Sequence, residues 1–126
     1  MAPTLVSLFE EAAHALAELS ADVASDAPVD DEVQVELTAR DHESLLVAWL
    51  NELIFLGETR RLAFDAPTLS TLEGEPAERP TRVRLVATAK GRRPSQARTA
   101  VKAATMHNLR ICPTNGGVEA TIVLDV

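Results

Sequence analysis

The chain has 126 residues, 46% apolar and 25% charged, a balance that excludes a disordered polypeptide and, at this length, fits one domain rather than two. No apolar run approaches the roughly 20 residues of a bilayer span, and the opening MAPTLVSLFEEAAHAL is acidic where a signal peptide would be basic, so a cytoplasmic protein with no membrane association is expected. All twelve Lys and Arg residues lie at or beyond Arg40, yet the net charge is −7 and only 3% of residues are aromatic, which argues against non-specific grip on single-stranded RNA by cations and stacking rings.

Apolar residues Leu5, Leu8, Phe9, Ala12, Leu16, Leu19 and Val23 recur at helical spacing, with Thr4 as cap and Glu10, Glu11, His14 and Glu18 facing elsewhere. Residues 25–31 read as a loop, and Val33, Val35, Leu37 and Ala39 alternate as a half-buried strand. Asp41 can cap a second helix whose Leu45, Leu46, Trp49, Leu50, Leu53 and Leu56 form a buried face ending near Gly57.

Short strands follow at Leu62–Phe64, Thr68–Glu73 and Arg82–Thr88, then a basic turn at Lys90–Pro94. Gln96–Met106 is ambiguous between helix and strand. Asn115-Gly116-Gly117 is a hairpin signal that pairs Leu109–Cys112 with Val118–Val126. The expected fold is α+β: two helices packed against a mostly antiparallel sheet.

Familiar catalytic patterns are absent: there is no GxSxG, no Gly-rich phosphate loop and no HExxH. His14 reads as solvent-facing and His42 as a residue just inside a helix start. His107 reads as a hydrogen-bonded residue sharing a strand face with Leu109 and Ile111. Cys112, the single cysteine, has no second thiol for a disulfide or zinc site and reads as structural filler. From Arg79 to Arg110 there are nine basic residues and no acid (Arg79, Arg82, Arg84, Lys90, Arg92, Arg93, Arg98, Lys102, Arg110). Such a block can neutralise phosphates, meet an acidic partner, or balance the acidic N-terminal helix within the fold.

Leu45-Leu-Val-Ala-Trp-Leu-Asn-Glu-Leu-Ile-Phe-Leu56, Thr99-Ala-Val-Lys-Ala-Ala-Thr-Met-His-Asn-Leu-Arg-Ile111 and Val118-Glu-Ala-Thr-Ile-Val-Leu-Asp-Val126 together resemble the archease family, as does Leu5–Ala13. The resemblance covers nearly the whole chain. It implies an archease-like fold and a non-enzymatic accessory protein that promotes guanylylation and turnover of an RtcB-type tRNA-splicing ligase. A link to tRNA or a tRNA methyltransferase, as a chaperone, is a further implication. The family's functional lysine matches Lys102, and its C-terminal metal-binding pair matches Asp125 and Val126. Two carboxylates at a strand end suit a hard cation, Ca²⁺ or Mg²⁺.

The family's opening strand, with a metal-binding Asp, has no counterpart before Thr4. The expectation is therefore a single domain over residues 1–126, truncated at its N-terminus relative to the family, with a start codon upstream of Met1 as the preferred explanation and a degraded homologue as the other. Ala48 and Ala100 stand where the family has acidic residues. The runner-up reading is an RNA- or tRNA-binding module using residues 79–110.

Overall fold

The computed structural model describes residues 2–65, 67–72, 82–106 and 109–126. Helix α1 (Leu5–Ser20) begins at a capping box: Thr4 Oγ1 accepts the Ser7 N–H at 3.1 Å, and Ser7 Oγ accepts the Thr4 N–H at 3.0 Å. It stops at Ser20, short of Val23, because a distant segment takes its last carbonyls: Arg98 N–H donates to Ser20 O at 2.8 Å and Thr99 N–H to Leu19 O at 3.1 Å. Ala21–Asp22 then form β1. The buried stripe runs through Leu5, Leu8, Phe9, Ala13, Leu16 and Ala17, leaving Leu19, expected inside, exposed.

Strand β2 (Val29–Ala39) starts earlier than its alternating pattern suggested. Helix α2 (His42–Arg60) is capped by Asp41, which accepts the Ser44 N–H at 2.7 Å. The helix passes Gly57 and ends at Arg61, whose φ of 56° supplies the left-handed cap expected of a glycine. Trp49, Leu45 and Leu46 are fully buried, and Trp49 Nε1 donates to the Phe9 carbonyl at 3.0 Å, fixing α2 against α1.

Strands β3 (Thr68–Leu72) and β4 (Val83–Arg92) complete an antiparallel sheet in the order β2-β4-β3. Val83, Leu85, Ala87 and Ala89 of β4 are fully buried while the residues between them are only partly so, the period-two pattern of a sheet with one covered face. Lys90–Arg92 belong to β4 rather than to a turn, since the long β2 supplies partners that far: Glu32 opposes Lys90 and Asp31 opposes Gly91. Leu62–Phe64 makes one bridge, Ala63 to Arg92, not a strand. The part of the expected strand at Glu73 lies outside the described residues.

Three two-stranded antiparallel pieces flank this sheet: β1 with β5 (Gln96–Ala97), β6 (Ala103–Thr105) with β9 (Val123–Asp125), and β7 (Ile111–Thr114) with β8 (Gly117–Ala120). The ambiguous 96–106 segment is thus two short strands. The β7–β8 hairpin turns at Asn115-Gly116, where Gly116 has φ 95°. Ile111 pairs with Ala120, but β9 leaves the hairpin and pairs with β6, so the expected long partnership of Leu109–Cys112 with 118–126 covers only part of that range. Ala2 exchanges two backbone hydrogen bonds of 2.7 Å with Val118. A Cβ at Gly117 would come within 2.1 Å of the Ala2 carbonyl oxygen, so this approach requires glycine.

Candidate interaction site at Lys102 and Asp125

Strands β6 and β9 bring two of the sequence-chosen residues together. Ala103 opposes Asp125 in the ladder, and the Lys102 N–H donates to the Asp125 carbonyl at 2.7 Å. Lys102, Asp125 and Val126 are all exposed, Val126 by 64%. Neither the Lys102 ammonium nor the Asp125 carboxylate forms an ion pair among the described residues. A cation just before β6 and an anion on β9, with no ion-pair partner among the described residues, can recognise a charged surface.

The β6 strand is held from its other side by α2. Asn51 Oδ1 accepts the Ala104 N–H at 2.8 Å, and Asn51 Nδ2 donates to the Ala104 carbonyl at 3.2 Å. One amide thereby substitutes for a neighbouring strand. The sequence carries a trace of this in Asn51, which with Glu52 interrupts an otherwise apolar stretch of helix.

An apolar cleft of about 580 Å³ opens beside Lys102. Leu16 and Ala17 of α1, Leu53 and Ile54 of α2, and Phe64 and Val101 line it, with Glu58, Arg61 and Lys102 contributing charge of both signs. The segment 94–102 forms one wall through Pro94, Ala97, Thr99 and Ala100.

Among the described residues no three or more His, Cys, Asp or Glu side chains gather closely enough to hold a metal ion. Asp125 and a terminal carboxylate at Val126 therefore do not fit the six to eight oxygens of a protein-built Ca²⁺ cage.

The histidines separate. His14 is exposed but bonded: Nδ1–H donates to the Asp65 carbonyl at 3.0 Å, and Nε2 meets Glu18 Oε1 at 3.0 Å. The pKa of His14 is raised, chiefly by the Asp65 carbonyl; burial opposes this, and Glu18 adds to the rise. His42 is buried at the start of α2. His107 lies outside the described residues. Cys112, expected as filler, is exposed on β7.

Four of the nine residues of the basic block are paired internally: Arg84 with Glu36, Arg92 with Asp65, Arg93 with Asp30 and Arg98 with Asp22. The counter-charges of these four lie on β1, β2 and the segment after α2, not on α1, which is one of the alternatives the sequence leaves open. Arg92 also donates to the Ala24 and Ala27 carbonyls at 3.4 and 3.5 Å, joining loop, sheet and inter-element segment. Nothing in the sequence singled out Asp65.

Two helices over small antiparallel sheets define an α+β protein, and among the described residues no helix is long and apolar enough to cross a membrane. The sequence matches the archease protein family across residues 1–126, and the chain belongs to that family. It is 33% identical to an archease of Methanothermobacter thermautotrophicus, covering 97% of this chain and 85% of that protein. It is equally 33% identical to an archease of Archaeoglobus fulgidus, with the same coverage. The solution structure of Methanobacterium thermoautotrophicum protein 1598 superposes with a TM-score of 0.70 at 30% identity, over 97% of this chain and 85% of that one.

Proposed function

We propose that this protein is an accessory factor, not itself a catalyst, that promotes guanylylation of an RtcB-type tRNA-splicing ligase, with Lys102, Asp125 and Val126 at the contact. Family membership supports the class of activity. The observation that carries the site is the 2.7 Å backbone bond joining Lys102, just before β6, to Asp125 on β9, which brings the backbones of two exposed charged residues side by side. In this reading Asp125 and Val126 contribute oxygens to a weakly held divalent cation, with water and the bound ligase supplying the rest.

A cognate ligase incubated with GTP should be guanylylated faster when the protein is added, and Lys102→Ala or Asp125→Ala should remove most of that stimulation. Variants that stimulate as well as the parent would discard these residues. Calorimetric titration with Mg²⁺ and Ca²⁺ should give weak binding that Asp125→Ala reduces further. Equal heats from parent and variant would remove the cation from the proposal. The same preparation titrated with tRNA tests the RNA-binding alternative: affinity falling steeply with salt would favour it, and a flat response would not.

A further inference from the structure

We infer that Asn51 is a positioning residue for this site: its side-chain amide, acting in place of a strand, fixes β6 and so presents Lys102 to the partner. The inference rests on the proposed role of Lys102. Asn51 lies on α2 between the buried Leu50 and Leu53, a stretch where every neighbour on the core side is apolar. Its two bonds, at 2.8 and 3.2 Å, go to the N–H and carbonyl of the same residue, Ala104, whose own side chain is buried.

Only a primary amide offers one donor and one acceptor in the planar fork that a residue of an adjacent strand would offer. Aspartate has the shape but no donor. Serine has too short a reach to meet both groups, and glutamine adds a torsion that unfixes the fork.

What the clamp holds is a strand with little else to hold it. β6 has three residues and one strand partner, β9, itself of three residues. Two-stranded pieces of that length are marginal by themselves. Ala104 lies two positions after Lys102 and opposite Leu124, the residue before Asp125. Removing the clamp therefore loosens the neighbourhood of both charged residues at once, though Asn51 touches neither through its side chain. It also leaves two backbone groups of a buried residue unpaired, which drives local opening.

Three variants of the full chain test this: Asn51→Ala, Asn51→Asp and the double variant Asn51→Ala with Lys102→Ala. Hydrogen exchange of the Ala104 amide should accelerate by about tenfold in Asn51→Ala and by less in Asn51→Asp, which keeps the acceptor. Ligase guanylylation per folded protein should fall in the same order, parent above Asp above Ala. The double variant should stimulate no less than Lys102→Ala alone, since both changes act through one contact. Should Asn51→Ala fold poorly, Asn51→Asp still gives both readouts.

Unchanged exchange at Ala104 would overturn the clamp. Faster exchange with parental stimulation would overturn its positioning role. Failure of the parent to stimulate any cognate ligase would refute the proposed function and with it the presentation of Lys102, while the exchange measurement still decided whether Asn51 orders β6.

Discussion

His14 shows how an exposed side chain acquires a pH-dependent role from geometry alone. With Nδ1–H committed to the Asp65 carbonyl, the neutral ring would aim a lone pair at the Glu18 carboxylate, whereas the protonated ring donates to both. Folding therefore favours the charged form and raises the pKa. The resulting stability is fully present below the unfolded value near 6.5 and is lost as pH rises through the folded value. The group is more than half exposed, so the effect is small, below about 1 kcal/mol. The melting temperature lost in His14→Ala should be larger at pH 5.5 than at pH 8.5, and equal losses would contradict the assignment. Thr105 offers the opposite case. Its hydroxyl is buried without a hydrogen-bond partner, a desolvation cost with no return. Thr105→Val keeps the shape and should leave denaturation midpoints unchanged or raise them; a loss of more than about 1 kcal/mol would mean that the hydroxyl is satisfied in solution.

At the scale of elements, the helices were readable because their signals are local. Thr4 and Asp41 mark both starts, and the Leu45–Leu56 face is the buried face observed. Helix ends were misread where distant residues decide them: the Arg98 and Thr99 amides stop α1, and Arg61 rather than Gly57 caps α2. β6 is ambiguous in the sequence and β9 is drawn there to the wrong partner for the same reason, both being three residues long, with Asn51 reaching Ala104 of β6 across a gap of 53 positions. Of the candidate site, the residue identities came from family likeness. Their adjacency required the β6–β9 pairing, which the strong Asn115-Gly116 hairpin signal had drawn toward β7. The α1–α2 contact supports a direct test. Trp49→Phe removes the donor to the Phe9 carbonyl and leaves a void in a fully buried position, so it should cost about 2–4 kcal/mol. Chemical denaturation measures this, and a change under about 0.5 kcal/mol would show that neither the bond nor the indole volume matters.

Across the whole molecule, four small sheets are joined less by ladders than by side chains. Glu10 accepts the Leu69 N–H at 3.3 Å, Glu43 the Ile111 N–H at 3.0 Å, and Asn51 serves Ala104. Arg92 extends this to the loop carbonyls of Ala24 and Ala27 and to Asp65, with both charged side chains largely buried. Lysine cannot reproduce a guanidinium reaching several acceptors in one plane. Arg92→Lys should therefore destabilise by about 1.5–3 kcal/mol despite conserving charge, measured by thermal unfolding; an unchanged transition would show that the ion pair alone suffices. Among the described residues, these pairings give Arg84, Arg92, Arg93 and Arg98 of the basic middle segment acidic partners within the fold.

The brevity of β6 and β9 has a consequence for how the protein meets another. A pair of three-residue strands outside the β2-β4-β3 sheet has few bonds to break, so it can fray and re-form while the helical core stays intact. If this is the surface that meets the partner, as proposed, it can adjust its outline on docking at little expense to the rest, and a partner that grips it would stiffen this corner first.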